Sequence, residues 1–122
     1  MTENEIAKQI VDVAFKIQTT FGPGLLESVY EAALCAELAH AGMTFRRQVA
    51  VPVFYKGELI SEHRPDLVVQ DRIVVEVKSI EHVKAVHVAQ VLTYLRIVGL
   101  RVGLILNFNS AMLKHGIRRV IL

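Results

Sequence analysis

The sequence predicts an α/β sandwich in which helices cover a central mixed β-sheet. Three observations lead there. Apolar residues recur at helical spacing near the N-terminus and again over residues 81–98. β-Branched runs bounded by turn residues fill the stretches between and after them. The order is helix, helix, three antiparallel-leaning strands, helix, strand, short segment, strand. A strand–helix–strand unit behind a hairpin calls for a right-handed crossover, and hence a sheet of mixed direction.

The first helix is expected from Glu3 to about Phe21, with Ile6, Ile10, Val13, Ile17 and Phe21 on its apolar face. Thr2 or Asn4 is its candidate cap, and Gly22-Pro23-Gly24 breaks it. A second helix is expected from about Leu26 to Ala41, stopped by Gly42, with Leu26, Val29, Ala33, Ala36 and Leu38 as core positions. Strands follow over Thr44–Tyr55, Glu58–Val69 and Arg72–Ser79, the first pair turned by Lys56-Gly57. Helical spacing returns from about Glu81 to Val98, with Val83, Val86, Ala89, Leu92 and Leu95 apolar, and Gly99 ends it. Leu100–Phe108 reads as a buried strand, Ser110–His115 as a short turn, and Ile117–Leu122 as a last strand.

The chemistry concentrates in Arg64–Ser79, R-P-D-L-V-V-Q-D-R-I-V-V-E-V-K-S. Arg72, Val74, Glu76 and Lys78 share one face of their strand, while Ile73, Val75 and Val77 share the other. A three-residue loop of Gln70, Asp71 and Arg72 sets Asp66 opposite Glu76; a two-residue loop sends Asp66 to the other face. Burying a carboxylate and an ammonium among valines is costly unless they pair or bind something. Two readings stand. In one, Glu76 and Lys78 form a buried ion pair and Asp66 accepts a hydrogen bond at a turn. In the other, two carboxylates hold a hard cation such as Mg²⁺, and the lysine offsets charge building on a phosphate.

Length and composition narrow the class. The 122 residues make a single domain, 1–122, and 52% hydrophobic with 21% charged residues is globular. A formal charge of +2 announces no polybasic strip. The one cysteine, Cys35, excludes an internal disulfide and fits a core thiol in a reducing, cytoplasmic setting. No secretory signal or membrane span is expected. His82 and His87 lack metal-ligand spacing, so a zinc site is not expected. Arg46, Arg47, Lys56, Arg64 and Arg72 either flank a phosphate-binding cleft or are scattered solvated charges. Lys114, Arg118 and Arg119 form a small basic cluster that either contacts phosphate or keeps an edge strand soluble.

Two helices add polar candidates. Glu27, Tyr30, Glu31 and Leu34 share a face of the second helix; Glu27 either favours the helix dipole or points toward a metal, and Tyr30 is a packing residue or a substrate contact. His87, Gln90 and Tyr94 form one polar stripe on the third helix, either a helix–sheet seam or a shared target.

Gly24, Glu27 and Tyr30 spell G-x-x-E-x-x-Y, and with R-P-D-L-V-V, V-V-E-V-K, H-V-A-Q-V-L-T-Y-L, G-L-I-L-N-F-N and G-I-R-R the chain resembles the GxxExxY proteins of the PD-(D/E)XK nuclease superfamily. The resemblance implies a restriction-endonuclease-like three-layer arrangement, a central mixed β-sheet flanked by helices. It implies that Asp66, Glu76 and the backbone carbonyl of Val77 bind metal, with Lys78 the catalytic lysine and Glu27 an extra acid. Gln90 and Tyr94 match the Q-x-x-x-Y motif of an exonuclease branch, and His87 a position often histidine in the family. The implied activity is Mg²⁺-dependent hydrolysis of DNA or RNA, with Mn²⁺ as a substitute. The alternative is a nucleic-acid-binding or assembly module that keeps the fold without the chemistry. So small a chain has no spare element for reading bases, so low sequence specificity is expected, or specificity from a partner or homodimer.

Overall fold

A computed structural model describes residues 1–122. Two helices open the chain, α1 (Glu3–Phe21) and α2 (Glu27–His40), and a third, α3 (Ala85–Val98), sits between strands. The strands are β1 (Phe45–Arg47), β2 (Val51–Tyr55), β3 (Glu58–His63), β4 (Leu67–Val69), β5 (Ile73–Lys78), β6 (Val102–Asn107) and β7 (Ile117–Ile121), with a 3-10 turn at Leu113–His115. Thr2 caps α1 by accepting the Glu5 N–H, and Gly99 ends α3 in the left-handed region.

Five strands form the main sheet in the order β1-β4-β5-β6-β7. Only β5 and β6 run parallel, and α3 is the crossover between them. α1 and α2 cover one face over a core of 21 buried residues; α3 and a separate β2–β3 ribbon cover the other over eight. Residue parity on β5 divides these layers as expected: Ile73, Val75 and Val77 enter the larger core and Val74 the smaller. The result is the expected restriction-endonuclease-like three-layer arrangement, a mixed sheet flanked by helices. Gly103 brings α3 close, since a Cβ there would lie 2.5 Å from the Val91 side chain.

The expected long strands are each broken once. Gln48 adopts φ 51°, which separates β1 from β2, and Pro65 lies in the gap between β3 and β4. The broken halves β2 and β3 fold on each other as the ribbon rather than extending the sheet. α2 buries Tyr30, Glu31, Leu34, Cys35 and Leu38, whereas Leu26, Val29 and Ala36 face solvent and Ala33 is half-buried. Apolar residues ring this helix, so periodicity does not select its inner face. Phe21, Val86 and Ala89 are likewise exposed, and α3 begins at Ala85 rather than Glu81. No helix is long and apolar enough to cross a membrane.

Candidate functional site

The β4–β5 hairpin turns through Gln70, Asp71 and Arg72, the three-residue loop, with Gln70 at φ 54° and Asp71 at φ 53°. Pairing of Leu67 with Val75 and Val69 with Ile73 carries forward to set Asp66 opposite Glu76. There the ladder opens. The Asp66 N–H donates to the Glu76 carboxylate at 3.1 Å, and the Val77 N–H donates to the Asp66 carboxylate at 2.7 Å. Each acid thus replaces a backbone acceptor. One step further the register faces Val77 with Pro65, which has no N–H to give the Val77 carbonyl. The Val77 carbonyl therefore lacks a β4 partner beside the two carboxylates at the end of the sheet.

Electrostatics mark this opening as short of positive charge. Burial, reinforced by Asp66, pushes the Glu76 carboxyl up to about 7. Burial pushes the Asp66 carboxyl up to about 6, with Glu31 raising it further against the Val77 and Gln48 hydrogen bonds. Lys78 Nζ stands 3.7 Å from Glu76 Oε2 on a side chain 20% exposed, reachable from solvent. Burial also raises the Tyr94 phenol, with Glu76 and Asp66 adding to it.

Other expected participants lie elsewhere. The Glu27 carboxylate accepts the Ser79 N–H at 3.2 Å, beside the end of β5, and does not converge with Asp66 and Glu76. Tyr30 is fully buried, stacks on Phe108 at 4.6 Å, donates to the Gly22 carbonyl and accepts the Leu25 N–H. Ser79 Oγ donates to the Leu25 carbonyl at 2.9 Å. The G-x-x-E-x-x-Y residues therefore staple the α1–α2 connection to the strand that carries Glu76 and Lys78. His87 Nδ1 accepts the Lys84 N–H at 2.8 Å and caps α3. Gln90 is exposed and lines, with Tyr94 and His63, a cleft of about 190 Å³ outside α3. His63 and Tyr94 rings lie 5.9 Å apart. The polar stripe of α3 is thus divided between a cap and a cleft.

Glu31 and Arg47, expected only as a helix-face residue and a flanking charge, and Gln48, which spacing did not single out, are neighbours of Asp66. Glu31 is buried and accepts from Arg47 at 2.7 and 3.1 Å and from Gln48 at 3.2 Å. Gln48 reaches Asp66 twice, its N–H on the Asp66 carbonyl at 3.1 Å and its side chain on the carboxylate at 3.3 Å. A left-handed glutamine holding the key aspartate is strain of the kind found at functional sites. The one sequence signal is the break in alternation at Gln48. Of the flanking arginines, Arg46 pairs with Asp71, Arg47 with Glu31 and Arg64 with Glu62, while Arg72 donates to the Met1 carbonyl. They are local partners rather than a phosphate cleft.

The residues present fit a hard divalent cation. No three His, Cys, Asp or Glu side chains converge, but Mg²⁺ needs only one or two carboxylates when waters and substrate oxygens complete its shell. Asp66, Glu76 and the Val77 carbonyl supply oxygen donors of that kind, and a cation would favour the charged form of two carboxyls that burial, more than repulsion, pushes up. A sheet opening onto strand-borne acids with a lysine one step on defines the endonuclease-like class of α/β proteins. The family comparison agrees: a model described as PD-(D/E)XK nuclease superfamily matches residues 4–120, and the chain belongs to that superfamily. No curated protein and no solved structure matches it.

Proposed function

We propose that the protein is a Mg²⁺-dependent phosphodiesterase acting on DNA or RNA, with Mn²⁺ as an effective substitute. The observation that carries it is the meeting of Asp66 and Glu76 at the opened ladder, with Lys78 beside them. Asp66, Glu76 and the Val77 carbonyl hold the cation. Bound there, it supplies positive charge for the phosphate in an in-line displacement. Lys78 orients the attacking water and offsets negative charge on the phosphate. Tyr94 walls the site on the α3 side, and Gln90 in the adjoining cleft contacts the substrate strand. Gln48, clamped by Glu31 and the Arg64–Gln48 carbonyl hydrogen bond of 3.1 Å, positions Asp66.

Placement among the GxxExxY proteins rests on Gly24, Glu27 and Tyr30. Specificity for base sequence is low, because α3 and the sheet are engaged with each other and the exposed β2–β3 ribbon presents Phe54, Leu59 and Ile60 rather than donors and acceptors for base edges. Homodimerisation is a route to added specificity; Phe54, Tyr55, Leu59 and Ile60 leave an exposed apolar surface on the ribbon, more than half exposed each. Scattering at rising concentration checks this, and a persistent monomer removes the dimer from the reading.

Wild type is expected to cleave at least one of single-stranded, duplex and branched DNA or RNA in Mg²⁺. Lys78→Met should lower that rate at least about a hundredfold while leaving Mn²⁺ binding intact. A second reading, the non-catalytic binding module, is favoured by one observation: both acids already terminate backbone hydrogen bonds. Nucleic-acid binding without cleavage of any substrate would select it.

A further inference from the structure

We propose that the cleft beside the carboxyl ends of β5 and β6 is a second phosphate subsite, in which Arg118 takes a nucleic-acid backbone phosphate flanking the one at Asp66 and Glu76. The inference rests on the nucleic-acid reading above and adds a place where the strand is held.

The cleft, of about 180 Å³, is lined mainly by polar groups, including Glu81, His82, Asn107, Ser110, His115 and Arg118. Sheet register puts it next to the acids. Glu76 pairs with Ile105, and Ile105 with Arg118, in one row; Lys78 pairs with Asn107 in the next. Ile105 and Val120 belong to the core beneath α3, so Arg118, two residues from Val120, lies on the same face as Glu76 and Lys78. Two strand spacings separate Glu76 from Arg118 across the sheet, about 10 Å.

The walls are built before any ligand arrives. Asn107 is 2% exposed; its side-chain oxygen accepts the Ile80 N–H at 3.1 Å and the Asn109 N–H at 3.3 Å, and its amide donates to the Ile80 carbonyl at 2.9 Å. This fixes the loop after β5 against the end of β6. Gly116 closes the other side, and any Cβ there would meet the Asn107 carbonyl oxygen at 2.2 Å. Such a rigid setting holds donors in place at little ordering cost.

Within it the Arg118 side chain is exposed and makes no ion pair or hydrogen bond. Its neighbour Arg119 points to the opposite face and is bonded to Asn4, and Lys114 lines a different, apolar-edged cleft with Phe15 and Met112. The C-terminal basic cluster is therefore three separate groups, and one of them is free beside the acids. A guanidinium with imidazole and hydroxyl donors around it suits a phosphate, which it can grip in a fork.

The test is fluorescence anisotropy of short labelled single-stranded and duplex oligonucleotides against salt, in Ca²⁺ to prevent turnover. Arg118→Gln should weaken binding of every sequence about tenfold and lower the slope of log affinity on log salt by about 0.7–0.9. Arg118→Lys should recover part of the loss, and Arg119→Gln should bind like wild type. Mn²⁺ affinity and melting temperature should stay unchanged in Arg118→Gln, which excludes misfolding. Equal losses in the Arg118 and Arg119 variants, or none in either, would overturn the subsite while leaving the nuclease reading intact. Failure of wild type to bind any oligonucleotide, with Mn²⁺ bound normally, would overturn both.

Discussion

The two faces of the main sheet are packed for different purposes. Beneath α1 and α2 lies a continuous core of 21 buried residues, where Tyr30 stacks on Phe108 and Ile10, Leu34 and Leu38 are fully buried. Beneath α3 the core has eight buried residues, and at its edge sit Glu76, Lys78, Tyr94 and two clefts. The thick face holds the sheet rigid; the thin one leaves part of the same strand within reach of solvent. β5 serves both, alternating valines into the first with Glu76 and Lys78 toward the second. On the proposed reading, function sits where packing is thin, supported from behind by packing that is thick.

The largest effect expected is on the thick face. Leu34→Ala should cost about 2–5 kcal/mol in urea unfolding and leave the Mn²⁺ affinity of the folded fraction unchanged. An equal loss of affinity would mean the two faces are not separable.

The thin face should respond in the opposite sense. With Glu76 near 7 and Asp66 near 6 in the folded chain, and ordinary carboxyls near about 4 when unfolded, the folded state binds more protons between those values. Stability without divalent ions should therefore fall as pH rises from about 4 to about 7. Glu76→Gln should flatten that slope and raise the melting temperature at neutral pH, while losing cation binding. A melting temperature that climbs over the same range would show that folding does not raise these carboxyls. A smaller effect is expected at the seam between the faces: Gln48→Ala should cost about 1 kcal/mol and weaken Mn²⁺ several-fold, because Asp66 loses a side-chain donor. Affinity equal to wild type would remove Gln48 from the site.

Much of this was readable from the residues, and the misses share a cause. α1 and a hairpin around Gln70, Asp71 and Arg72 follow from period; parity ties the opposition of Asp66 and Glu76 to a three-residue loop but does not choose that loop, which the structure has. The inner face of α2 was not readable, because Leu26, Val29 and Ala36 are as apolar as the residues it buries. The ribbon was hidden in the same way: Phe54, Leu59 and Ile60 look like core and lie in solvent. Glu31 and Gln48 reach Asp66 across 35 and 18 positions only once the chain is folded, and no local pattern announces such a contact. Glu27 was legible as a motif residue, but its partner, the Ser79 backbone, was not.

The most direct measurement is Mn²⁺ binding by calorimetry, wild type against Asp66→Asn at one neutral pH. Binding to the wild type that is lost in the variant, with both proteins folded, is the expected result. Equal binding by both would contradict a cation site between Asp66 and Glu76.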